Sequence, residues 1–104
     1  MPEAYGYITW QSPNQAEGHF NIGGPDYICS LRTNSQLPYF MLNSAKLNYD
    51  STDQLAGTRS LDGHVGVYDF ATTFDNSSKI EGNLDNLVNQ NSRFYGTATW
   101  SQRM

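Results

Sequence analysis

The chain is short of charge, of cysteine and of long apolar runs, and each shortage excludes something. Lys, Arg, Asp and Glu make up 15% of its 104 residues, against about a quarter in an ordinary soluble domain. The six basic residues are scattered with no Lys/Arg cluster, which argues against nucleic acid or an anionic membrane surface as partner. The formal net charge of −4 mainly serves solubility. A single cysteine, Cys29, excludes an internal disulfide and fits a reducing compartment, or a secreted domain that needs no staple. No apolar stretch approaches the ~18 residues of a membrane-spanning helix. Residues 1–4, Met-Pro-Glu-Ala, have neither the basic start nor the apolar run of a signal peptide. The compartment is therefore open: extracellular or cell-surface is favoured if a signal has been removed, cytoplasmic otherwise.

What the chain has instead is aromatic and small polar residues. Seven Tyr, five Phe and two Trp bring the aromatic share to 13%, and Asn, Ser, Thr, Gln and Gly supply the polarity. Disordered chains are poor in aromatics and high in net charge, so this composition reads as folded, and it favours sheet over helix. Residues 1–104 make one domain.

The periodicity agrees. The best helical candidate, residues 83–88, is Asn-rich and at most one turn. Period two recurs everywhere else. Residues 4–10 place Tyr5, Tyr7 and Thr9 on one face and Ile8 and Trp10 on the other, and residues 12–14 turn. Gly18, Phe20 and Ile22 then alternate with His19 and Asn21, before a Gly-Gly-Pro-Asp turn at 23–26. Tyr27, Cys29 and Leu31 share a face. Residues 37–42 are apolar throughout, and Pro38 assigns them to an edge or a strand start. Residues 44–50 alternate cleanly, with Ala45, Leu47 and Tyr49 together. Residues 50–63 read as a polar loop, with at most a short strand around 55–59. Residues 65–74 read as the longest strand, with His64, Gly66, Tyr68, Phe70, Thr72 and Phe74 on one face. A turn at 75–78 leads to inward Ile80, Gly82 and Leu84, and residues 93–100 close with Phe94, Gly96, Ala98 and Trp100 in register. Seven to eight short strands at near-regular spacing predict an all-β fold: a small antiparallel up-and-down β-barrel, with a β-sandwich as the alternative. Glycines at bending positions (Gly6, Gly18, Gly66, Gly82, Gly96) favour the barrel.

Residues 65–84, ending in Lys-Ile-Glu-Gly-Asn-Leu, and the later Phe94-Tyr-Gly-Thr-Ala98 resemble the eight-stranded barrel of transferrin-binding-protein-B-like surface lipoproteins of Gram-negative bacteria. In those barrels a strand ending in an Asp-Phe-type pair, an Asn-containing turn, a Lys-Ile-x-Gly-x-Leu strand and a Phe-x-Gly-x-Ala strand follow in that order. The likeness covers residues 65–98, about a third of the chain. It implies a barrel and a surface-exposed role in binding a host protein or an iron or haem source, and it transfers no functional residue. The first 60 residues do not match, and no lipobox cysteine is present.

Catalytic and metal signals are thin. Cys29 with His19 or His64 has the elements of a nucleophile and base, but Cys29 lies in register with Tyr27 and Leu31 and reads as a small core residue. The two histidines lack a metal-ligand spacing, and His64 reads as a surface residue at a strand start. Asp50, Asp53, Asp62, Asp69, Asp75 and Asp85 do not space as a Ca²⁺ loop and read as turn residues. Asn76-Ser77-Ser78 matches the N-glycosylation acceptor pattern, one that arises by chance in a chain so rich in Asn and Ser. No cofactor is called for, and no acid–base or nucleophile constellation points to an enzyme.

The aromatics carry the functional expectation. Tyr5, Tyr7, Trp10, Tyr39, Tyr95 and Trp100 are more than a core of this size absorbs, and exposed Tyr and Trp combine contact area with a polar tip at low entropic cost. The expected function is a non-enzymatic binding module that engages a protein partner through sheet edges and these aromatics. The alternative is a small-ligand binder, taking carbohydrate on surface aromatics, or haem or an apolar ligand in a barrel mouth.

Overall fold

Alternating side chains convert eight segments into strands in a computed structural model that describes residues 3–86, 88 and 91–103. They are β1 (Glu3–Ser12), β2 (Gln15–Asn21), β3 (Asp26–Thr33), β4 (Met41–Asn48), β5 (Gly57–Val65), β6 (Asp69–Phe74), β7 (Lys79–Asn83) and β8 (Ser92–Arg103), with one 3₁₀ turn at Thr52–Gln54. Every neighbouring pair is antiparallel. The strands alternate up and down around a closed barrel, the fold class that the sequence predicts; the sandwich alternative does not form. Among the described residues no helix is long and apolar enough to cross a membrane.

The order around the barrel is β4-β1-β2-β3-β8-β5-β6-β7, returning to β4. Each half is therefore a Greek key: three hairpin-linked strands, then a fourth that crosses back to lie beside the first. The two returning strands, β4 and β8, join the halves. Both joins use the same device. After β3, Asn34 N–H donates to Tyr95 O while its side-chain Oδ1 accepts from Tyr95 N–H. After β7, Asp85 N–H donates to Met41 O, and the side chains of Asn86 and Asp85 accept from Met41 and Asn43 N–H at 2.7 Å each. Side-chain oxygens thus extend two ladders past the ends of the strands.

Three expectations about strands are corrected. Residues 37–40 are not strand; β4 begins at Met41, because Pro38 has no N–H for a ladder and the Leu37 carbonyl is taken by the Trp10 indole N–H at 3.3 Å. Nor do residues 37–42 provide an edge, since Met41 and Leu42 pair with β1 on one side and meet Asp85 and Asn86 on the other. The supposed loop 50–63 holds most of β5, whose inward face has one bulky apolar side chain before Val65, Leu61, and so gives a weak periodic signal. The supposed single strand 65–74 is two strands, with the chain reversing at 66–68, where Gly66 N–H donates to Asp69 O at 2.7 Å. The reversal puts His64 and Tyr68 on the outside, away from the buried Phe70, Thr72 and Phe74. The one-turn helix at 83–88 does not form over residues 83–86, and residue 87 lies outside the described residues.

The lumen is filled by side chains. Phe40, Phe70 and Phe94 stack in series, with ring centroids 5.3 and 5.9 Å apart, and Phe20, Leu31, Leu42, Leu47 and Ile80 are fully buried around them. Each such burial contributes about 1.5–3 kcal/mol, and each ring pair about 0.5–1.5 kcal/mol more. Two glycines allow the wall to close over this core. A Cβ on Gly6 would collide with the His19 carbonyl across β1–β2, and one on Gly96 with the Arg32 carbonyl across β8–β3.

Gly6→Ala and Gly96→Ala should each lower the unfolding free energy by about 1–3 kcal/mol or more in urea titrations, although alanine is intrinsically the better strand residue by about 0.5–1 kcal/mol. A gain in stability would show that these contacts relax freely. Phe70→Ala should cost about 3–5 kcal/mol.

Candidate functional site

The six aromatic residues singled out from the sequence divide three ways. Tyr5, Tyr7 and Trp10 lie on β1, and Tyr39 joins Trp10 at its end. Tyr5 and Tyr7 project from its outer face, 68% and 45% exposed. Trp10 points the other way at the end of the strand, where the chain before β4 folds over it, and its ring meets Tyr39 edge-on at 5.4 Å. Tyr39 itself is 57% exposed. Tyr95 stands apart on the outer face of β8, separated from β1 by β2 and β3, with the Arg93 guanidinium 5.8 Å from its ring centroid. Trp100 is not a surface residue: it is buried against Phe74 at 5.8 Å. Its position in register with Phe94 and Ala98 already assigned it inward.

Sequence reasoning missed two members of the surface. Met41, exposed at 39%, pairs with Thr9 on the outer wall beside β1, and with Trp10, Tyr39, Ile8 and Leu42 it lines a pocket of about 190 Å³. The false strand 37–42 concealed it. Tyr68, 68% exposed at the 66–68 reversal, is placed by strand alternation on the same face as Phe70 and Phe74; the reversal, with Gly66 N–H on Asp69 O, separates it from them.

Tyr7 is held in place. It stacks on His19 at 4.9 Å with the rings 13° apart, because the two residues pair across β1–β2, and His19 Nε2 lies 2.7 Å from Glu17 Oε1. Opposite Tyr7 the β4 strand bulges, so that Asn43 and Ser44 together face one residue of β1. The Tyr7 ring thus sits on a fixed neighbour beside an interrupted ladder.

The two histidines occupy separate places, His19 with Glu17 and His64 with Asp69 at 3.7 Å. Among the described residues no three His, Cys, Asp or Glu side chains cluster as metal ligands. Cys29 is fully buried, and burial pushes its thiol far above its ordinary range, which leaves it unreactive. The Asn76 amide is engaged with the 3₁₀ turn: Asn76 Nδ2 donates to Gln54 O and Gln54 Nε2 donates to Asn76 O, at 3.0 and 2.7 Å. A side chain so held is a poor glycan acceptor.

On the wall beyond β1, Lys46 lies 3.6 Å from both Glu3 and Glu81, and Lys79 lies 2.7 Å from Glu81. The Lys79 hydrogen bond, opposed by partial burial and assisted by Lys46, holds the Glu81 carboxyl below its usual pKa.

A comparison of the chain with family models, with curated proteins and with solved structures finds no match.

Two measurements follow from this geometry. Cys29 should resist a water-soluble disulfide reagent in the native protein and react stoichiometrically once the protein is unfolded in denaturant. Glu81 binds its proton less readily folded than unfolded, so its contribution is present above the ordinary carboxylate range near ~4.3 and is lost as pH falls through its lower folded pKa. Glu81→Gln should therefore lower stability at neutral pH and flatten the acid limb of stability against pH, the difference from the native chain shrinking as pH falls.

Proposed function

We propose that the protein is a non-enzymatic binding module whose partner is another protein, engaged through the aromatic surface along β1 and the start of β4. The observation that carries this reading is the meeting of exposed Tyr39 and Met41 with half-buried Trp10 at the end of β1, with exposed Tyr5 and Tyr7 on the outer face of the same strand. Exposed aromatics and Met on an otherwise polar surface are the composition of interface cores. The pocket of about 190 Å³ between Trp10, Tyr39 and Met41 offers a seat for one apolar anchor side chain, the usual form of an interface hot spot. Closure of the barrel removes sheet edges from the reading and leaves it on side chains. A lumen filled by the Phe40, Phe70 and Phe94 stack gives no support to haem or an apolar ligand inside the barrel.

The test is site-specific photo-crosslinking, with a photoreactive phenylalanine analogue replacing Tyr7, Tyr39 or Thr73 in turn. A discrete protein adduct should form from positions 7 and 39 and not from 73, which lies on the opposite wall. Against the partner so identified, Tyr39→Ala and Tyr7→Ala should each weaken binding about 30-fold, corresponding to ~2 kcal/mol, with the unfolding midpoint little changed. Binding that survives both substitutions, or adducts from all three positions alike, would overturn the proposal.

A further inference from the structure

A second surface lies on the wall built by β4, β7, β6 and β5. Its floor is Ala71, whose outward methyl is flanked in register by His64 on β5 and Glu81 on β7. Adjacent strands are ~4.8 Å apart, so these two taller side chains stand about 10 Å from one another across a methyl-sized step. The result is a groove of about 730 Å³ that runs from Tyr5 across Lys46 and Glu81 to His64 and Asp69. A second hollow of about 640 Å³ shares the Ala71 floor and continues to Asp62 and Arg93. From β1 to β8 by this route is five strand spacings, ~24 Å along the curved wall.

Three features define what such a groove would hold. Its volume falls in the ~300–1,000 Å³ range of ligand sites, but its walls are polar. Most of its charges are paired, Lys46 between Glu3 and Glu81, Lys79 on Glu81, and His64 beside Asp69, while Asp85 accepts from the Asn43 N–H. The lining sets Lys46 and Lys79 against Asp69, Glu81 and Asp85, a slight acidic excess, so the groove does not concentrate phosphate or sulfate. The pairs instead hold ammonium donors and carboxylate acceptors side by side at fixed positions. Hydroxyl groups both donate and accept, and a row of them matches such a mosaic with charge-assisted hydrogen bonds. Finally, Tyr5 presents an exposed ring at one end, with its hydroxyl 3.3 Å from Glu3 Oε1, a stacking face for an apolar ring surface bordered by polar groups.

We propose that this groove binds a neutral oligosaccharide, with Tyr5 as the stacking platform, Glu81 and Lys46 as hydroxyl partners, and Ala71 as the floor that gives the sugar room. The site is separate from the Trp10–Tyr39 pocket and does not rest on the protein-partner reading. Tyr5 lines the groove and not that pocket, though it also stands on the outer face of β1, so Ala71 and Glu81 substitutions report on the groove, and Tyr39→Ala reports on the other surface.

The experiment is an amide chemical-shift titration of the full chain with cellohexaose, maltohexaose, chitohexaose and mannohexaose, and with a heparin-derived hexasaccharide as the charged comparison. At least one neutral hexasaccharide should move the amides of Ala71, Glu81 and His64 with a dissociation constant of about a millimolar or below. That constant should rise about tenfold or more in Tyr5→Ala, in Glu81→Gln and in Ala71→Phe, which fills the floor, and should not change in Tyr39→Ala. If Ala71→Phe fails to fold, the Tyr5 and Glu81 variants carry the test. The proposal is overturned if no neutral hexasaccharide moves those amides at about 10 mM, if the charged hexasaccharide alone does so, if the shifts map to the Trp10–Tyr39 wall, or if binding is indifferent to the groove substitutions.

Discussion

Closure is the constraint on which the rest depends. Two three-stranded meanders, β1–β3 and β5–β7, become one barrel because β4 and β8 return and join them, β4 between β1 and β7, β8 between β3 and β5. The hydrogen bonds that the side chains of Asn34, Asp85 and Asn86 accept from backbone N–H groups extend those joins where regular pairing stops. The glycines at 6 and 96 let backbones approach where any side chain would block them. Once the ring is shut, one face of every strand must be core, and the series of stacked Phe rings fills it.

Much of this was legible in the sequence, and the exceptions have physical causes. The inward faces of β1, β3, β8 and the later part of β4 were readable because each alternates apolar residues, such as Ala45 with Leu47, or Phe94 with Ala98 and Trp100, against polar ones. The strand β5 was not, because its inward set of Arg59, Leu61, Gly63 and Val65 mixes a charged stem and a glycine with the apolar residues. The reversal after Val65 was hidden because Val-Gly-Val-Tyr has the composition of a strand; the bond from Gly66 N–H to Asp69 O is a tertiary decision that propensity does not encode. Strand order was beyond sequence reasoning altogether, since a meander and a pair of Greek keys share the same alternation.

The surfaces follow the same division. That Tyr5 and Tyr7 face outward could be read from Ile8 facing inward, and Trp100 could have been withdrawn from the surface by its own register. That Tyr39 meets Trp10, and that Met41 joins them, depends on the connection before β4 folding over the barrel end. The charged wall gave no signal in the sequence: Lys46, Glu81, Ala71 and His64 lie on four strands and become neighbours when β7 is laid between β4 and β6.

The placement of β8 also bears on how the protein is assembled. The first seven strands can be laid down as one open sheet, β3-β2-β1-β4-β7-β6-β5, but β3 and β5 at its ends then each present a bare row of backbone donors and acceptors until β8 arrives between them. Bare edges of this kind invite pairing with other chains. Pairings such as β3 with β8 link distant parts of the sequence and so close slowly. The interval before the final strand docks is therefore when the chain is most exposed to aggregation, and a chain cut before β8 would remain in that state.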